Sequence, residues 1–192
     1  MLVKEMSFRF NITIFFFILI FNSSVNASVK EKIILKLKKT NSLSFNFNQT
    51  IEEKNENGNC VIKYPKKIYC EYNNVNKKII VSNGKSLVIK NRNSGTYYRY
   101  PLAKTPLVYL LDKNYLIKKV NTLKSRDIEN KYLNFTIIEK NNEINLFFDK
   151  KNFSLVGWQT EDIYQNLIIT FISSIKINQK IDNRIFIFPK NN

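Results

Sequence analysis

The feature that most constrains the fold is a group of predicted strands that are apolar on both faces. Successive side chains of a strand point to opposite sides of a sheet, so a strand that covers one core alternates apolar and polar residues. Four segments break this alternation with three apolar residues in a row: Ile79-Ile80-Val81, Leu87-Val88-Ile89, Leu146-Phe147-Phe148 and Leu167-Ile168-Ile169. A sheet built from such segments needs apolar cover on its second face as well.

Most of the chain is predicted to form strands joined by tight turns. The predicted strands span residues 43–47, 60–64, 67–72, 78–82, 85–89, 96–100, 132–139, 143–148, 155–160, 167–177 and 184–188, with a polar turn at 52–58. Asn83-Gly84, between two apolar runs, is a strong hairpin signal. Strands in series predict an antiparallel sheet, and a long sheet is expected to curl. The predicted fold class is mainly β (α+β), an antiparallel half-open β-barrel covered by a lid of short helices.

The helices available as cover are few and short. Ser28–Lys39 is predicted to be helical. Thr105 is predicted to cap a second helix that has Pro106 at its first position and runs to Leu111, and a further helical turn is predicted at Tyr115–Val120. This shortage of cover favours a lined cavity that takes an apolar guest, while ordinary barrel packing is equally compatible with the periodicity.

The first 27 residues have the layout of a secretory signal. A basic start precedes an apolar stretch at Ile12–Phe21, and Val25-Asn26-Ala27 is a small-residue cleavage site. We therefore expect residues 1–27 to be a cleaved signal peptide and residues 28–192 to be one exported domain. Ser28 stands where a lipoprotein would carry its lipid-bearing Cys, so we expect no lipid anchor.

The composition argues against several functional classes. The chain has no His, which removes the usual general base and metal ligand, and it has no glycine-rich phosphate loop or cluster with metal-ligand spacing. We therefore predict no catalytic residue, no metal and no cofactor, and we do not expect an enzyme. The net charge of +16 is spread along the chain rather than gathered in one run, so no nucleic-acid partner is predicted.

The two cysteines fall at matching positions of a predicted hairpin. If Pro65 sits at the centre of the turn, Cys60 lies opposite Cys70, within reach of a disulfide. An oxidising compartment permits that bond. Two buried thiols that fill core space are the equally weighted alternative.

A series of short motifs follows the order and spacing of a known family. They are Phe47-Asn48-Gln49, Gly58 to Pro65, Ile80 to Leu87, Thr105-Pro106-Leu107 with Leu110-Leu111, Trp158 to Asp162, and Phe186 to Pro189. Over most of residues 43–189 the chain resembles the periplasmic outer-membrane lipoprotein carrier proteins, the LolA type. Each motif is short, and the resemblance depends on their order behind a signal peptide.

The resemblance implies a periplasmic carrier that shelters lipoprotein acyl chains in an apolar cavity beneath a helical lid. The implied partners are lipid-modified proteins as cargo, an inner-membrane ABC complex that releases them, and an outer-membrane acceptor if one is present. A monomer without a cofactor is expected. We expect the cavity to be lined by Leu43, Phe45, Phe47, Ile62, Ile68 and Tyr72, with Ile68 at its mouth, and by the lid residues Pro106, Leu107, Leu110 and Leu111.

The chain departs from the family at Tyr64, where the typical motif has an Arg that helps to latch the lid. Tyr64 is therefore expected to be a partial latch, because its hydroxyl is able to donate one hydrogen bond to the lid backbone at 106–111. Three alternatives stay open. They are a general lipid-binding or acceptor-like protein, a ligand-free envelope scaffold, and a hydrolase that uses only carboxylates.

Overall fold

The computed structural model describes residues 27–139, 142–161 and 165–190, so the predicted signal peptide, apart from Ala27, lies outside the described residues. The described chain forms one antiparallel sheet of eleven strands. The strands are β1 Ser42–Ile51, β2 Lys54–Lys63, β3 Lys67–Tyr72, β4 Lys78–Asn83, β5 Ser86–Asn91, β6 Tyr97–Pro101, β7 Arg126–Ile128, β8 Tyr132–Glu139, β9 Asn142–Asp149, β10 Leu155–Glu161 and β11 Leu167–Ile177. The helices are α1 Val29–Lys39, α2 Leu107–Leu110 and α3 Lys113–Thr122, with short 3-10 turns at Leu102–Lys104 and Asn183–Phe186.

The sheet consists of two meanders that meet in its middle. Its strand order is β6-β5-β4-β3-β2-β1-β11-β10-β9-β8-β7, so only β1 and β11 pair without being neighbours along the chain. β1 is long enough to pair on both sides, and Leu43 lies opposite Ile62 of β2 and Ile177 of β11. The end strands β6 and β7 do not pair with each other in the described sheet, so the barrel stays open. The predicted half-open, mainly β fold is confirmed.

α1 is capped at Ser28, at the start of the predicted helix. The Ser28 hydroxyl accepts a hydrogen bond from the Glu31 amide (3.2 Å), and the Glu31 carboxylate accepts one from the Ser28 amide (2.5 Å). This reciprocal pair satisfies N–H groups that the first helical turn leaves free. Ile33 and Leu37 form the buried stripe of α1, which packs against α3 above the second meander.

The predicted helix cap at Thr105 is wrong. Leu102–Lys104 forms a 3-10 turn first, and Thr105 ends it by donating its hydroxyl to the Leu102 carbonyl (2.9 Å). α2 therefore begins only at Leu107, after Pro106, and is four residues long. The cover on this side of the barrel is thus even shorter than the sequence predicts. On the other side, α3 extends past both ends of the turn predicted at Tyr115–Val120.

The predicted strand Arg184–Phe188 is also wrong. The Asp182 side chain accepts a hydrogen bond from the Arg184 amide (2.9 Å), which starts a 3-10 turn instead of a strand. The buried Phe186 of this turn lies near β3 and β4. Ile79 and Val81 alternate with the inward-facing Ile80, so the C-terminal turn packs on the outer face of β4. The second apolar face of this strand is covered by the chain's own tail.

Two further details differ from the prediction: one polar turn is shorter than predicted, and one short strand was not predicted. The turn predicted at 52–58 is tighter, because β2 begins at Lys54, directly opposite Ile51. Glu52 has a left-handed backbone (φ 53°) that makes such a short connection. β7 has only three residues and carries no apolar alternation that would reveal it.

The core is densest under α1 and α3. Fully buried side chains from the second meander and these helices meet there: Phe135, Ile137, Ile144, Leu146, Phe148, Ile33, Leu116 and Val120. The rings of Phe135 and Phe148 meet edge to face, with centroids 5.7 Å apart.

Within the residues that the structure describes, no helix combines the length and the apolar character that crossing a bilayer requires.

Candidate functional site

A cavity of about 570 Å³ opens on the concave face of the first meander. β3 to β6 form its main wall, the ends of β10 and β11 form the opposite wall, and the segment 101–107 forms its roof. We call residues 101–111, which include this roof and α2, the lid. The apolar lining consists of Phe47, Ile51, Cys60, Ile68, Cys70, Tyr72, Ile80, Leu87, Ile89, Tyr98, Tyr100, Pro101, Pro106, Leu107, Trp158 and Ile168.

The floor of the cavity is built from Phe47, Gly58 and Tyr72. Phe47 on β1 lies opposite Gly58 on β2, and its ring meets the Tyr72 ring edge to face at 4.8 Å. A Cβ atom at Gly58 would lie 2.9 Å from the Phe47 ring and 2.0 Å from the Glu71 carbonyl oxygen. Glycine at this position therefore lets the aromatic ring lie flat on the neighbouring strand.

One wall of the cavity carries a disulfide. Cys60 on β2 lies directly opposite Cys70 on β3, and the two sulfur atoms are bonded. Both cysteines are buried and line the cavity beside Ile68. The bond therefore joins two strands within the cavity wall.

The predicted cavity residues divide into two groups. Phe47, Ile68, Tyr72, Pro106 and Leu107 line the cavity. The other five, Leu43, Phe45, Ile62, Leu110 and Leu111, are buried but are absent from its lining. Alternation along a strand predicts which face points inward, but not how far along that face the helices reach.

The sequence prediction missed most of the cavity wall. Ile80, Leu87 and Ile89 supply its centre, and Tyr98 and Tyr100 on the edge strand β6 stack with ring centroids 6.4 Å apart. The signal was present for β4 and β5, because these strands carry two of the segments that are apolar on both faces. Trp158 lies on the opposite wall, where alternation along β10 turns it inward.

A group of polar side chains crosses one edge of the cavity, and we call Gln49, Glu56, Tyr72, Lys78 and Thr170 the rim network. The Lys78 ammonium lies 2.5 Å from a Glu56 carboxylate oxygen and 3.9 Å from the centre of the Tyr72 ring. The Tyr72 hydroxyl donates to the Gln49 carbonyl oxygen (3.1 Å), and the Gln49 amide donates to the Thr170 hydroxyl (2.9 Å). Burial and then the negative charge of Glu56 raise the pKa of Tyr72 above its usual range, so its hydroxyl stays protonated.

The lid is attached at both ends by backbone hydrogen bonds. The Leu102 amide donates to the Lys85 carbonyl (3.0 Å), and the Lys66 amide donates to the Leu111 carbonyl (2.7 Å). An ion pair of 3.5 Å between Lys66 and Asp112 reinforces the second attachment. Between these points the lid spans the cavity with Leu107 facing inward.

The hydrogen bond expected from Tyr64 to the lid is not formed. The Tyr64 hydroxyl is buried and has no hydrogen-bond partner among the described residues. Its ring instead lines a second, very small cavity of about 20 Å³ together with Leu37, Leu43 and Leu155. Burial alone raises the pKa of Tyr64 far above its usual range. The lid attachment lies two residues further along the chain, at the Lys66 backbone.

The geometry is suited to binding an apolar ligand. Within the described ranges, no three His, Cys, Asp or Glu residues come together to hold a metal ion. The cavity surface is mainly apolar. Its polar lining comprises Gln49, Lys78 and Thr170 of the rim network, Lys104 and Thr105 on the lid, and Thr160 and Glu161 on β10. A site of this kind is able to hold an elongated apolar molecule whose polar end lies beside the rim network.

Comparison with known proteins gives one family match. Residues 38–189 match the model of a family described as "Outer membrane lipoprotein carrier protein LolA". No curated protein sequence matches the chain. The family match covers the whole sheet, the lid and the C-terminal turn.

Several solved structures are similar to this chain. A LolA superfamily protein from Nitrosomonas europaea is 12% identical and has a TM-score of 0.45, with 84% of this chain and 99% of that chain covered. An uncharacterized conserved protein from Thermus thermophilus is 8% identical and has a TM-score of 0.51, with 84% and 93% covered. MucB of Pseudomonas aeruginosa, solved in complex with MucA, is 8% identical and has a TM-score of 0.45, with 86% and 62% covered. At these identities the likeness concerns the fold alone.

Proposed function

The chain belongs to the family of outer membrane lipoprotein carrier proteins, LolA, and from that premise we propose that it carries the acyl chains of lipid-modified proteins across the periplasm. In this proposal residues 1–27 direct export, and residues 28–192 form the carrier. Lipid-modified proteins are its cargo, an inner-membrane ABC complex loads it, and an outer-membrane acceptor unloads it where one is present. The chain acts by binding, not by catalysis.

One observation carries the proposal: two central side chains on the inner face of β4 and β5 are less well buried than those on the outer face. Val81 and Val88, which face outward, are fully buried at 0% exposure, and Ile79 is 4% exposed. Ile80 and Ile89, which face the cavity, are only half-buried, whereas the inward-facing Leu87 is 4% exposed. A sheet that covers its outer side and leaves its inner side open is prepared for an apolar guest on the inside.

The free energy of exposing acyl chains to water also supports a carrier. Exposing an acyl chain to water costs about 0.8 kcal/mol per CH₂ group, so a lipid-modified protein does not cross an aqueous space unaided. A cavity of about 570 Å³ lies within the range of about 300–1,000 Å³ that is usual for small-molecule sites. Among the described residues, the backbone hydrogen bonds between the lid and the sheet lie at the two ends of the lid, so in this proposal the segment between them moves to accept and release the guest.

The test is direct binding of a synthetic triacylated lipopeptide to the exported protein, with the same peptide without acyl chains as control. We expect binding of the lipopeptide alone, measured by native mass spectrometry and by titration. Ile80→Trp, which fills the cavity, should weaken binding at least about tenfold, the effect of losing about 1.4 kcal/mol. Ile138→Trp is the matched control, because Ile138 is 73% exposed and lies outside the cavity.

Two results would contradict the proposal. If the wild-type protein binds neither the lipopeptide nor any lipid recovered with it, the ligand-free scaffold is the better interpretation. If Ile80→Trp and Ile138→Trp bind the lipopeptide equally well, the acyl chains lie somewhere other than in this cavity.

A further inference from the structure

The rim network places an ion pair at one edge of a cavity whose lining is mostly apolar, with Lys104 on the lid and Glu161 at the end of β10 as its other charged residues. Lys78 and Glu56 keep only 24% and 21% of their side-chain surface exposed, and their charged atoms lie 2.5 Å apart. Asn74 also donates to Glu56 (3.0 Å), so this carboxylate is held from two sides. Taking two charges partly out of water is costly, and such a pair is weak evidence for a purely stabilising role.

The network is electrically neutral but still has hydrogen-bond donors. The Lys78 ammonium has three N–H groups, of which Glu56 and the face of the Tyr72 ring engage two. The Gln49 side-chain amide has two N–H groups and gives one to Thr170. One donor from each side chain is therefore left for a ligand, while Glu56 cancels the charge of Lys78.

The position of the network indicates which part of a ligand would meet it. The cavity-lining members of the rim network lie at or near the strand ends on one side of the barrel: Gln49, Tyr72, Lys78 and Thr170. Ile68 and Leu107 lie toward the opposite strand ends, near the lid attachment. A hydrocarbon chain that fills the apolar part ends at the rim network. The polar atoms that follow the chain would then lie beside the free donors.

We propose that the rim network binds the neutral ester or amide carbonyl that joins an acyl chain to its head, and that Glu56 discriminates against anionic heads by neutralising Lys78. The inference rests on the proposed function and adds the class of head that the cavity accepts. A neutral carbonyl gains hydrogen bonds from Lys78 and Gln49 without bringing a charge into the site. A carboxylate or phosphate brings a negative charge beside Glu56, and Lys104, the other cation of the described lining, lies on the lid rather than in the rim network.

The test compares a long-chain fatty acid with its methyl ester, each below its micelle concentration at pH 8. The wild-type protein should prefer the ester by about tenfold, the effect of about 1.4 kcal/mol. Glu56→Gln leaves Lys78 unpaired, so the fatty acid should bind about tenfold more tightly and the preference should disappear. Glu71→Gln is the matched control, because Glu71 forms a similar ion pair with Arg92 (2.7 Å) on the outer face and should leave both affinities unchanged.

The source of the carbonyl is distinguished by adding a triacylated lipopeptide and a diacylglycerol. Tighter binding of the lipopeptide assigns the carbonyl to a lipid-modified protein, and tighter binding of the diacylglycerol assigns it to a free glyceride. Both results support a neutral-head site. If the wild-type protein binds the lipopeptide but has the same affinity for the methyl ester and the fatty acid, the inference fails while the proposed function stands. If it binds no acyl compound, both fail, and neither result depends on a variant that must fold.

Discussion

Strands β4 and β5 and strands β8 and β9 carry similar apolar residues, yet the first pair borders a cavity and the second borders a solid core. The side chains of Phe135 and Leu146 in the second pair are completely buried, with 0% exposed. The inward side chains Ile80 and Ile89 in the first pair are half-buried. We call β7 to β11 with α1 and α3 the packed half, and β2 to β6 with the lid the hollow half. The apolar content of a strand does not by itself decide whether its inner face is filled.

The difference between the halves lies in the length of the helical cover. α1 and α3 have eleven and ten residues, so each is about 15 Å long at 1.5 Å per residue, whereas α2 has four. Hydrogen bonds also join the helices of the packed half to its sheet and turns. Lys36 on α1 donates to the Asn152 carbonyl (2.9 Å), and the Tyr115 hydroxyl on α3 donates to the Glu139 carboxylate (2.9 Å). The protein therefore keeps its densest packing in one half and most of its cavity wall in the other, and the ends of β10 and β11 complete that wall.

The largest effect expected from this comparison is the loss of a packed-half aromatic residue. Phe135→Ala should destabilise the protein by about 3–5 kcal/mol, because it leaves a cavity in a dense core. Ile89→Ala in the hollow half should cost only about 1 kcal/mol, since its side chain is already half-exposed to the cavity. Urea unfolding measures both values, and Phe135→Leu provides a milder change if the alanine variant does not fold. Equal losses at the two sites would contradict the division into halves.

The second expected effect concerns the disulfide, which stabilises the hollow half where packing is poor. Replacing Cys60 and Cys70 together by Ala should cost about 3 kcal/mol, because the bond closes a short loop with a sequence separation of 10. A reducing agent should lower the urea midpoint of the wild-type protein to a similar extent and leave the double variant unchanged. A loss below about 1 kcal/mol would mean that the hollow half does not depend on the bond.

A smaller effect, of opposite sign, is expected at Tyr64. Removing a buried hydroxyl that has no partner should leave stability unchanged or raise it by about 1 kcal/mol, so Tyr64→Phe should not loosen the lid. Tyr72→Phe is the control, because it removes a hydrogen bond to Gln49 and should cost about 1 kcal/mol.

The same variant has a pH signature. Burial raises the pKa of Tyr64 in the folded protein, so its contribution to stability is complete below the unfolded pKa of about 10 and is lost as the pH rises above it. Tyr64→Phe should therefore flatten the decline in the free energy of unfolding between about pH 10 and 11. A lid that opens in Tyr64→Phe at neutral pH would restore the latch role expected from the sequence. An unchanged decline would mean that the titration of Tyr64 does not contribute to it.

The sequence predicts the sheet well because the period of alternation is a local property. The predicted strand Leu167–Ile177 matches β11 at both ends, and the half-open barrel follows from strands in series. Arg184–Phe188 has the same local character but forms a 3-10 turn, because Asp182 offers the backbone a competing hydrogen bond. Its role as outer cover for Val81 depends on contacts between residues about a hundred positions apart, which no short pattern encodes.

The site is less predictable than the fold for a physical reason. Leu43 and Ile62 were predicted to line the cavity and instead lie in the core. The depth of the helical cover decides between core and cavity, and it follows from where α1 and the lid end. The lid attachment at Lys66 uses a backbone N–H, which every residue except proline carries, so residue type gives no sign of it. The latch was predicted at Tyr64 because that residue replaces the Arg of the family motif and its side chain carries a hydroxyl.

The smallest expected effect is at Asp112, and it tests whether the hollow half opens at the Lys66 attachment. Asp112 has two roles, because it accepts a hydrogen bond from the Tyr115 amide (3.1 Å) as the cap of α3 and also pairs with Lys66 (3.5 Å). Asp112→Asn keeps the cap and loses the partly exposed ion pair, so stability should fall by less than about 0.5 kcal/mol. Asp112→Ala loses both and should cost about 1 kcal/mol.

Hydrogen exchange separates these two roles at the level of single amides. The Lys66 amide, which donates to the Leu111 carbonyl, should exchange about twofold faster in Asp112→Asn, because 0.4 kcal/mol corresponds to about a factor of two. The Phe135 amide in the packed half should be unaffected, since the lid opens without unfolding the core. If neither Asp112 variant changes exchange at Lys66, the Lys66–Asp112 ion pair does not help to hold the lid, and this attachment depends on the backbone hydrogen bond to Leu111. If Phe135 responds together with Lys66, the two halves unfold as one unit, and the comparison between them describes packing but not motion.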